Sequence, residues 1–127
     1  MIKLNGIEFD LDLMDLGVSE KIDKETQKVV EEAERAKGKN RSESIKIQCY
    51  AVFNCIDNIF GKGTHKKIFG DKVNLRECLR VFEQLILEMK KQDEEDAKEF
   101  SQMASKYSPN RAQRRANKNK KKNNKRK

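Results

Sequence analysis

The sequence predicts a mainly α-helical (α+β) protein in which an N-terminal two-stranded β-hairpin packs on a small bundle of three main helices, the last of them long. Two patterns predict this class: apolar residues alternate around an Asn-Gly pair near the start, and they recur at helical spacing farther along. With 127 residues, 39% charged and 35% hydrophobic, the chain has material for one small domain. We expect that domain at residues 1–106 and a disordered basic tail at 107–127.

The predicted hairpin covers residues 1–12. Its apolar residues alternate with charged ones on both sides of Asn5-Gly6, the pair that best tolerates the positive φ angles of a type I′ turn. A two-stranded ribbon is marginal alone, so we expect its apolar face to lie on helices or to pair with strands of another subunit. Gly17 and Ser19 then indicate a break and a helix N-cap.

The first two main helices are predicted at about 18–37 and 42–60. The first has a narrow apolar stripe that ends in alanines, and Gly38 is placed to stop it. The second has the strongest apolar face of the chain, with Asn40 or Ser42 as its cap. A short helical turn from Thr64 to Phe69 is expected after it.

The third main helix is predicted at about 75–106 and begins at a segment that resembles a capping box, with Asn74 in place of Ser or Thr. Its predicted core face consists of Leu75, Cys78, Leu79, Phe82, Leu85, Ile86 and Met89. Val81 and Leu87 lie away from that face, which indicates a second contact within the chain or between subunits.

The far part of this helix has few large apolar residues. Phe100, Met103 and Tyr107 are spaced three and four apart, so they form a thin stripe along one side of the helix. A stripe of this kind is suited to binding another surface.

Few side chains are suited to catalysis. His65 stands among lysines with no acid nearby in the sequence, which favours a solvated or loop-stabilising histidine over a general base. Cys49 and Cys55 are separated by about 240° around one helix, so they cannot point into one metal site. The acid run 93–96 radiates around its helix and favours a solvated face. We therefore expect no enzyme, no cofactor and no bound metal.

The expected location is the cytoplasm. No apolar stretch approaches the roughly 18 residues of a membrane span, and residues 1–17 lack the basic start and apolar run of a secretion signal. The three cysteines are an odd number, which predicts reduced thiols. Cys49 and Cys78 fall on core faces and are predicted to be small buried residues.

The positive charge is concentrated at the C-terminus. The net charge is +8, but residues 106–127 hold eleven Lys or Arg and no acid, which leaves 18 basic and 21 acidic residues before them. The body is therefore at −3 and the end at +11. No aromatic residue follows Tyr107 to stack on bases, so sequence-specific RNA recognition is not indicated. Nonspecific nucleic-acid contact, contact with an acidic protein and a solubilising tail all remain open.

Four segments, taken in order, resemble a family of small proteins from tailed phages and prophages of low-GC Gram-positive bacteria. They read I-x-L-N-G-x-E-F-D at Ile2 to Asp10, F-G-x-G-T at Phe60 to Thr64, K-I-F-G-D-K-V-N-L at Lys67 to Leu75, and S-P-N-R-A-Q-R-R-A at Ser108 to Ala116. The resemblance covers nearly the whole chain. Proteins of this family resemble tail assembly chaperones, which are typically encoded between the tail tube protein and the tape measure protein.

The resemblance implies a non-enzymatic chaperone that binds the tape measure protein during tail assembly, with the tail tube protein as a second candidate partner. Such binding requires reversible helical contacts rather than a catalytic site. The candidate contact residues are Val81, Leu87, Phe100, Met103 and Tyr107, with Arg111, Arg114 and Arg115 as charge partners for an acidic surface. A nucleic-acid-binding or regulatory phage protein and a minor structural tail component are the alternatives, and a homo-oligomer is open.

Overall fold

The computed structural model describes residues 1–107, and the predicted tail from Ser108 onward lies outside the described residues. Its elements in order are β1 (Ile2–Leu4), β2 (Ile7–Phe9), α1 (Leu16–Arg35), α2 (Arg41–Phe60), α3 (Thr64–Phe69) and α4 (Leu75–Tyr107). The predicted class, mainly helical with an N-terminal two-stranded sheet and a long last helix, is confirmed. Residues 1–92 form one compact unit, and the far part of α4, residues 93–107, belongs to a second. No helix in the described range is long and apolar enough to cross a membrane.

The hairpin has the predicted turn. Asn5 and Gly6 both have positive φ angles, 50° and 82°, as a type I′ turn requires. The antiparallel register pairs Ile2 with Phe9 and Leu4 with Ile7. Ile2 and Leu4 are fully buried among helical residues, so the expected packing on helices is confirmed.

Side chains of α4 cap the outer edge of β1. The backbone N–H of Lys3 donates to Glu88 Oε1 at 2.8 Å, and that of Asn5 donates to Gln84 Oε1 at 2.7 Å. The Met1 amine donates to Oε1 of Gln92 at 2.9 Å, one helical turn farther on. Because these three acceptors recur every four residues, they lie on one side of α4 and match the spacing of outward N–H groups along a strand.

The N-terminus of α1 differs from the prediction. Its cap is Asp15, whose Oδ2 accepts the N–H of Val18 at 3.1 Å, so the helix begins before Gly17. The Ser19 hydroxyl donates to the Leu13 carbonyl and caps nothing. Ser19 was therefore the wrong choice of N-cap, because an acid four residues earlier satisfies the orphan N–H groups first.

The other two predicted caps are confirmed. Asn40 Oδ1 accepts the N–H of Glu43 at 2.9 Å at the start of α2, and Asn74 Oδ1 accepts the N–H of Glu77 at 3.0 Å at the start of α4. The core of residues 1–92 contains buried side chains from every element except β2, whose Ile7 and Phe9 are partly buried against it: Ile2, Leu4, Ile22, Val29, Cys49, Val52, Phe53, Cys55, Ile56, Ile59, Ile68, Phe69, Cys78, Val81 and Leu85.

The core face of α4 is rotated from the predicted one. Cys78, Val81 and Leu85 are the buried residues of this helix, whereas Leu79 and Ile86 are 46% and 40% exposed. Leu79 and Ile86 each follow a buried residue by one position, about 100° farther around the helix. The prediction that Leu79 and Ile86 belong to the core face of α4 was wrong.

Candidate interaction surfaces

The predicted contact residues divide into buried and exposed ones. Val81 is only 5% exposed and belongs to the core, so its prediction as a partner contact was wrong. It is buried because the face of α4 that meets the hairpin and α2 lies between Cys78 and Leu85, where Val81 also falls. Leu87 is 57% exposed. The predicted charge partners Arg111, Arg114 and Arg115 lie outside the described residues.

Residues 93–107 of α4, here called the distal segment, contain no buried residue. Phe100 is 64% exposed, Met103 48% and Tyr107 78%. The three side chains lie within about 60° of each other around the helix axis, which makes them one apolar stripe. Acids come before the stripe, at 93–96 and at Glu99, and Lys106 lies in the last turn.

Residues 1–92 carry a second exposed apolar region on α4. Leu79 and Ile86 are seven positions apart and therefore lie on the same side of the helix. Leu87 lines a shallow groove of about 480 Å³ between α4 and the hairpin turn, with Asn5, Gly6, Arg80 and Gln84 among its other residues. The exposure of Leu79 and Ile86 was missed because their spacing alone fits a buried face.

His65 is held by a carboxylate that the sequence did not point to. The two oxygens of Asp57, near the end of α2, accept the backbone N–H of His65 at 2.8 Å and its Nδ1–H at 2.7 Å. The imidazole stacks on Phe53 with a centroid distance of 4.5 Å. Asp57 precedes His65 by eight residues across a turn, and no short motif links the two. Both oxygens fix the start of α3, which agrees with the loop-stabilising role.

A cleft of about 360 Å³ lies beside His65. Its lining includes Tyr50, Asn54, Lys66 and Lys72, and no Ser, Thr or Cys side chain is among the lining residues. An imidazole oriented by a carboxylate needs a third group to activate, and the hydroxyl and amine groups in this lining are those of Tyr50, Lys66 and Lys72.

The three cysteines are free and buried, which confirms the prediction for Cys49 and Cys78. Burial raises the pKa of Cys55 to about 12, and it raises the pKa of Cys49 and of Cys78 as well. A thiol with a raised pKa is a poor nucleophile at neutral pH. Within residues 1–107, no three His, Cys, Asp or Glu side chains converge so as to hold a metal ion.

A charged groove of about 610 Å³ is lined by residues of α1 and α2, and the buried acid Glu25 is one of them. Its carboxylate accepts from Asn58 Nδ2 at 2.8 Å and from Lys28 Nζ at 3.3 Å. Desolvation raises the pKa of Glu25, but these hydrogen bonds and the nearby lysine charges outweigh it and the pKa is lowered. Sequence periodicity missed this site because Glu25 is an acid on the otherwise apolar stripe of α1.

These elements define a mainly helical protein with an N-terminal hairpin and with exposed apolar residues on its last helix. The sequence model of DUF6673, a family of unknown function, matches residues 5–118, and the chain belongs to this family. Neither a curated protein nor a solved structure matches the chain.

Proposed function

We propose that the protein is a non-enzymatic tail assembly chaperone of a tailed phage or prophage, which binds the tape measure protein in the host cytoplasm. The observation that carries this proposal is the distal segment, in which Phe100, Met103 and Tyr107 are exposed along one side of a helix. The resemblance of the four sequence segments to tail assembly chaperones supplies the phage context. Leu87, with its groove beside the hairpin turn, is a second contact for the same partner or for the tail tube protein.

The exposed side of the distal segment bears on the stability of its helix. Most helical stability in proteins comes from tertiary packing, so a stretch of about 15 residues that extends a packed helix without burying its own apolar side gains little of that stability. The distal segment has an apolar side but no buried residue. A long helical client such as a tape measure protein offers matching apolar stripes, and docking helix on helix allows repeated, reversible contacts along its length.

Coexpression with an affinity-tagged tape measure protein tests the proposal. The wild-type chain should copurify, and Phe100→Ser/Tyr107→Ser should reduce the recovered amount about tenfold or more, because exposed aromatic residues dominate interface energies. Gln102→Ser is the matched control, since it places the same residue on the other side of the same exposed turns and should leave recovery unchanged. Absence of any association, together with normal tails from a deletion mutant, would refute the chaperone role.

The charge of residues 106–127 favours one alternative, a nucleic-acid-binding or regulatory protein. Eleven Lys or Arg without an acid could contact phosphates and would give strongly salt-dependent binding. This alternative predicts retention on RNA or DNA that is lost when the chain is truncated after Tyr107. Retention that survives truncation would exclude the tail as its cause. A minor structural tail component would instead remain in purified virions, where a chaperone would be absent.

A further inference from the structure

The cleft beside His65 has one aromatic wall. The ring centroids of Tyr50 and Phe53 are 6.0 Å apart, and Phe53 stacks on the imidazole of His65 at 4.5 Å. Phe53 is buried, whereas Tyr50 is 47% exposed, so Tyr50 is the ring of this row that a ligand can cover. Lys46 Nζ lies 5.8 Å from the centre of the Tyr50 ring, but Lys46 lines the groove between α1 and α2 and not this cleft. The cleft therefore offers a flat apolar surface at Tyr50.

Two lysines give the same cleft a positive lining. Lys66 and Lys72 both line it, and both are exposed. Neither amine forms an ion pair with an acid of residues 1–107. Asp71 also lines the cleft, so the two lysines and this acid sum to +1 before any charge on His65. The charge of the lining therefore favours an anion.

His65 adds a third polar contact. Its Nδ1–H donates to Asp57 at 2.7 Å, so Nε2 is the ring nitrogen that remains for a ligand. One proton joins Nε2 to a phosphate oxygen: a protonated imidazole donates it, and a neutral imidazole accepts it from a P–OH group. Asp57 also accepts the backbone N–H of His65 at 2.8 Å, and the two bonds together hold the residue in place. The cleft thus has an oriented imidazole in the same lining as two amines.

Three polar groups suit a phosphate better than a carboxylate. A phosphate monoester has three terminal oxygens, one for each of His65, Lys66 and Lys72, whereas a carboxylate has two oxygens. The cleft volume of about 360 Å³ is at the small end of ligand sites, which are about 300–1,000 Å³. That size fits a small ligand whose phosphate and ring both lie within the cleft.

We propose that this cleft binds a small organic phosphate that also carries a flat ring, such as a nucleoside monophosphate. The phosphate lies among His65, Lys66 and Lys72, and the ring lies on Tyr50. All residues of the site belong to residues 1–92, and the site does not rest on the proposed chaperone function. Because salt screens its exposed lysines, binding is weak, with a Kd of about 1 mM at low ionic strength.

Nuclear magnetic resonance of the full chain tests the site, because His65 is the single histidine and its ring C–H signals are unambiguous. Adenosine monophosphate should shift these signals saturably at about 50 mM salt. Adenosine and inorganic phosphate should each bind at least about tenfold more weakly, since one lacks the phosphate and the other lacks the ring. The absence of a saturable shift up to about 20 mM adenosine monophosphate would overturn the proposal, as would equally strong binding of adenosine.

Substitution of the lysines tests the phosphate contact. Lys66→Gln/Lys72→Gln should weaken binding of adenosine monophosphate at least about tenfold, because it removes both amines from the lining. Lys62→Gln/Lys67→Gln is the matched control, since it removes the same charge from the same segment and neither residue lines the cleft. The control should bind within about twofold of the wild type. Equal weakening by the two variants would show an effect of overall charge alone and would overturn the site.

Substitution of Tyr50 tests the ring contact. Tyr50→Leu should weaken binding of adenosine monophosphate at least about fivefold and leave that of inorganic phosphate unchanged, because it removes the ring and none of the cations. Tyr50→Phe keeps the ring and should bind as the wild type does. The far-ultraviolet circular dichroism of every variant should match that of the wild type, since the replaced side chains are all exposed. A loss of binding in Tyr50→Phe, or no loss in Tyr50→Leu, would refute the stacking of the ligand ring on Tyr50.

Discussion

The two parts of α4 share helical geometry and apolar residues at three- and four-residue spacing, yet they differ in burial. In residues 75–92 the residues Cys78, Val81 and Leu85 are buried against other elements of their unit. In residues 93–107 every residue is at least partly exposed. Apolar residues at the same spacing therefore have different surroundings within one helix: those of residues 75–92 complete a core, and those of residues 93–107 are exposed among the described residues.

Thiol labelling should show the largest difference between the two parts. Cys78 is fully buried with a raised pKa, whereas a cysteine introduced by Ala97→Cys is exposed. We expect the introduced thiol to react with a disulfide reagent about a thousandfold faster than Cys78, because Cys78 reacts only through opening of the fold. Comparable rates in dilute protein would contradict the burial of the first part. Denaturation should make all four thiols react at similar rates.

The next largest difference is expected in the free energy of unfolding, when one side chain in each part of α4 is truncated. Leu85→Ala should lower the free energy of unfolding in urea by about 3 kcal/mol, because it leaves a cavity at a fully buried position. Phe100→Ala should change it by less than about 0.5 kcal/mol, measured at a concentration where the chain is monomeric. If the Phe100 variant were as unstable as the Leu85 variant, the distal stripe would be part of the core.

The capping of β1 by α4 should contribute a smaller amount. Gln84→Ala removes the acceptor of the Asn5 N–H and should cost about 1 kcal/mol of unfolding free energy. Hydrogen exchange should show faster exchange of the Asn5 amide in this variant. Arg80→Ala, on the exposed surface one turn earlier, serves as the control and should leave that amide protected.

The smallest expected effect concerns acid stability. The pKa of Glu25 is lowered in the fold, so its ionised form contributes stability that is present above the unfolded-state pKa and is lost as the pH falls through the folded one. The wild type should therefore lose stability below about pH 4.5 more steeply than Glu25→Gln, as measured by urea unfolding at several pH values. If the free energy of unfolding depended on pH in the same way in both proteins, Glu25 would gain no net stabilisation from Asn58 and Lys28.

Local chemistry explains what the sequence could predict. Asn5-Gly6 determines the hairpin turn, and Asn40 and Asn74 determine two helix starts, because each acts on neighbours within three residues. The exposure of the distal stripe could also be predicted, since charged residues surround it. These features need no knowledge of the tertiary structure.

Features that depend on distant contacts could not be predicted in this way. The first part of α4 has apolar residues on several sides, and only the positions of the hairpin and α2 decide that Val81 is buried while Leu79 is exposed. The pairing of His65 with Asp57 depends on the path of the turn between α2 and α3. In each case the sequence supplies the residue types, and the partner comes from the tertiary arrangement.

The capping of β1 by Gln84 and Glu88 has a consequence for the order of events during translation. The outward N–H groups of Lys3 and Asn5 find their acceptors 85 and 79 residues later in the chain. The ribbon is made before α4, and it cannot acquire its final contacts until most of residues 1–92 has left the ribosome. Contacts of such long sequence separation slow folding, so the nascent ribbon must wait, with Ile2 and Leu4 uncovered, until α4 is available.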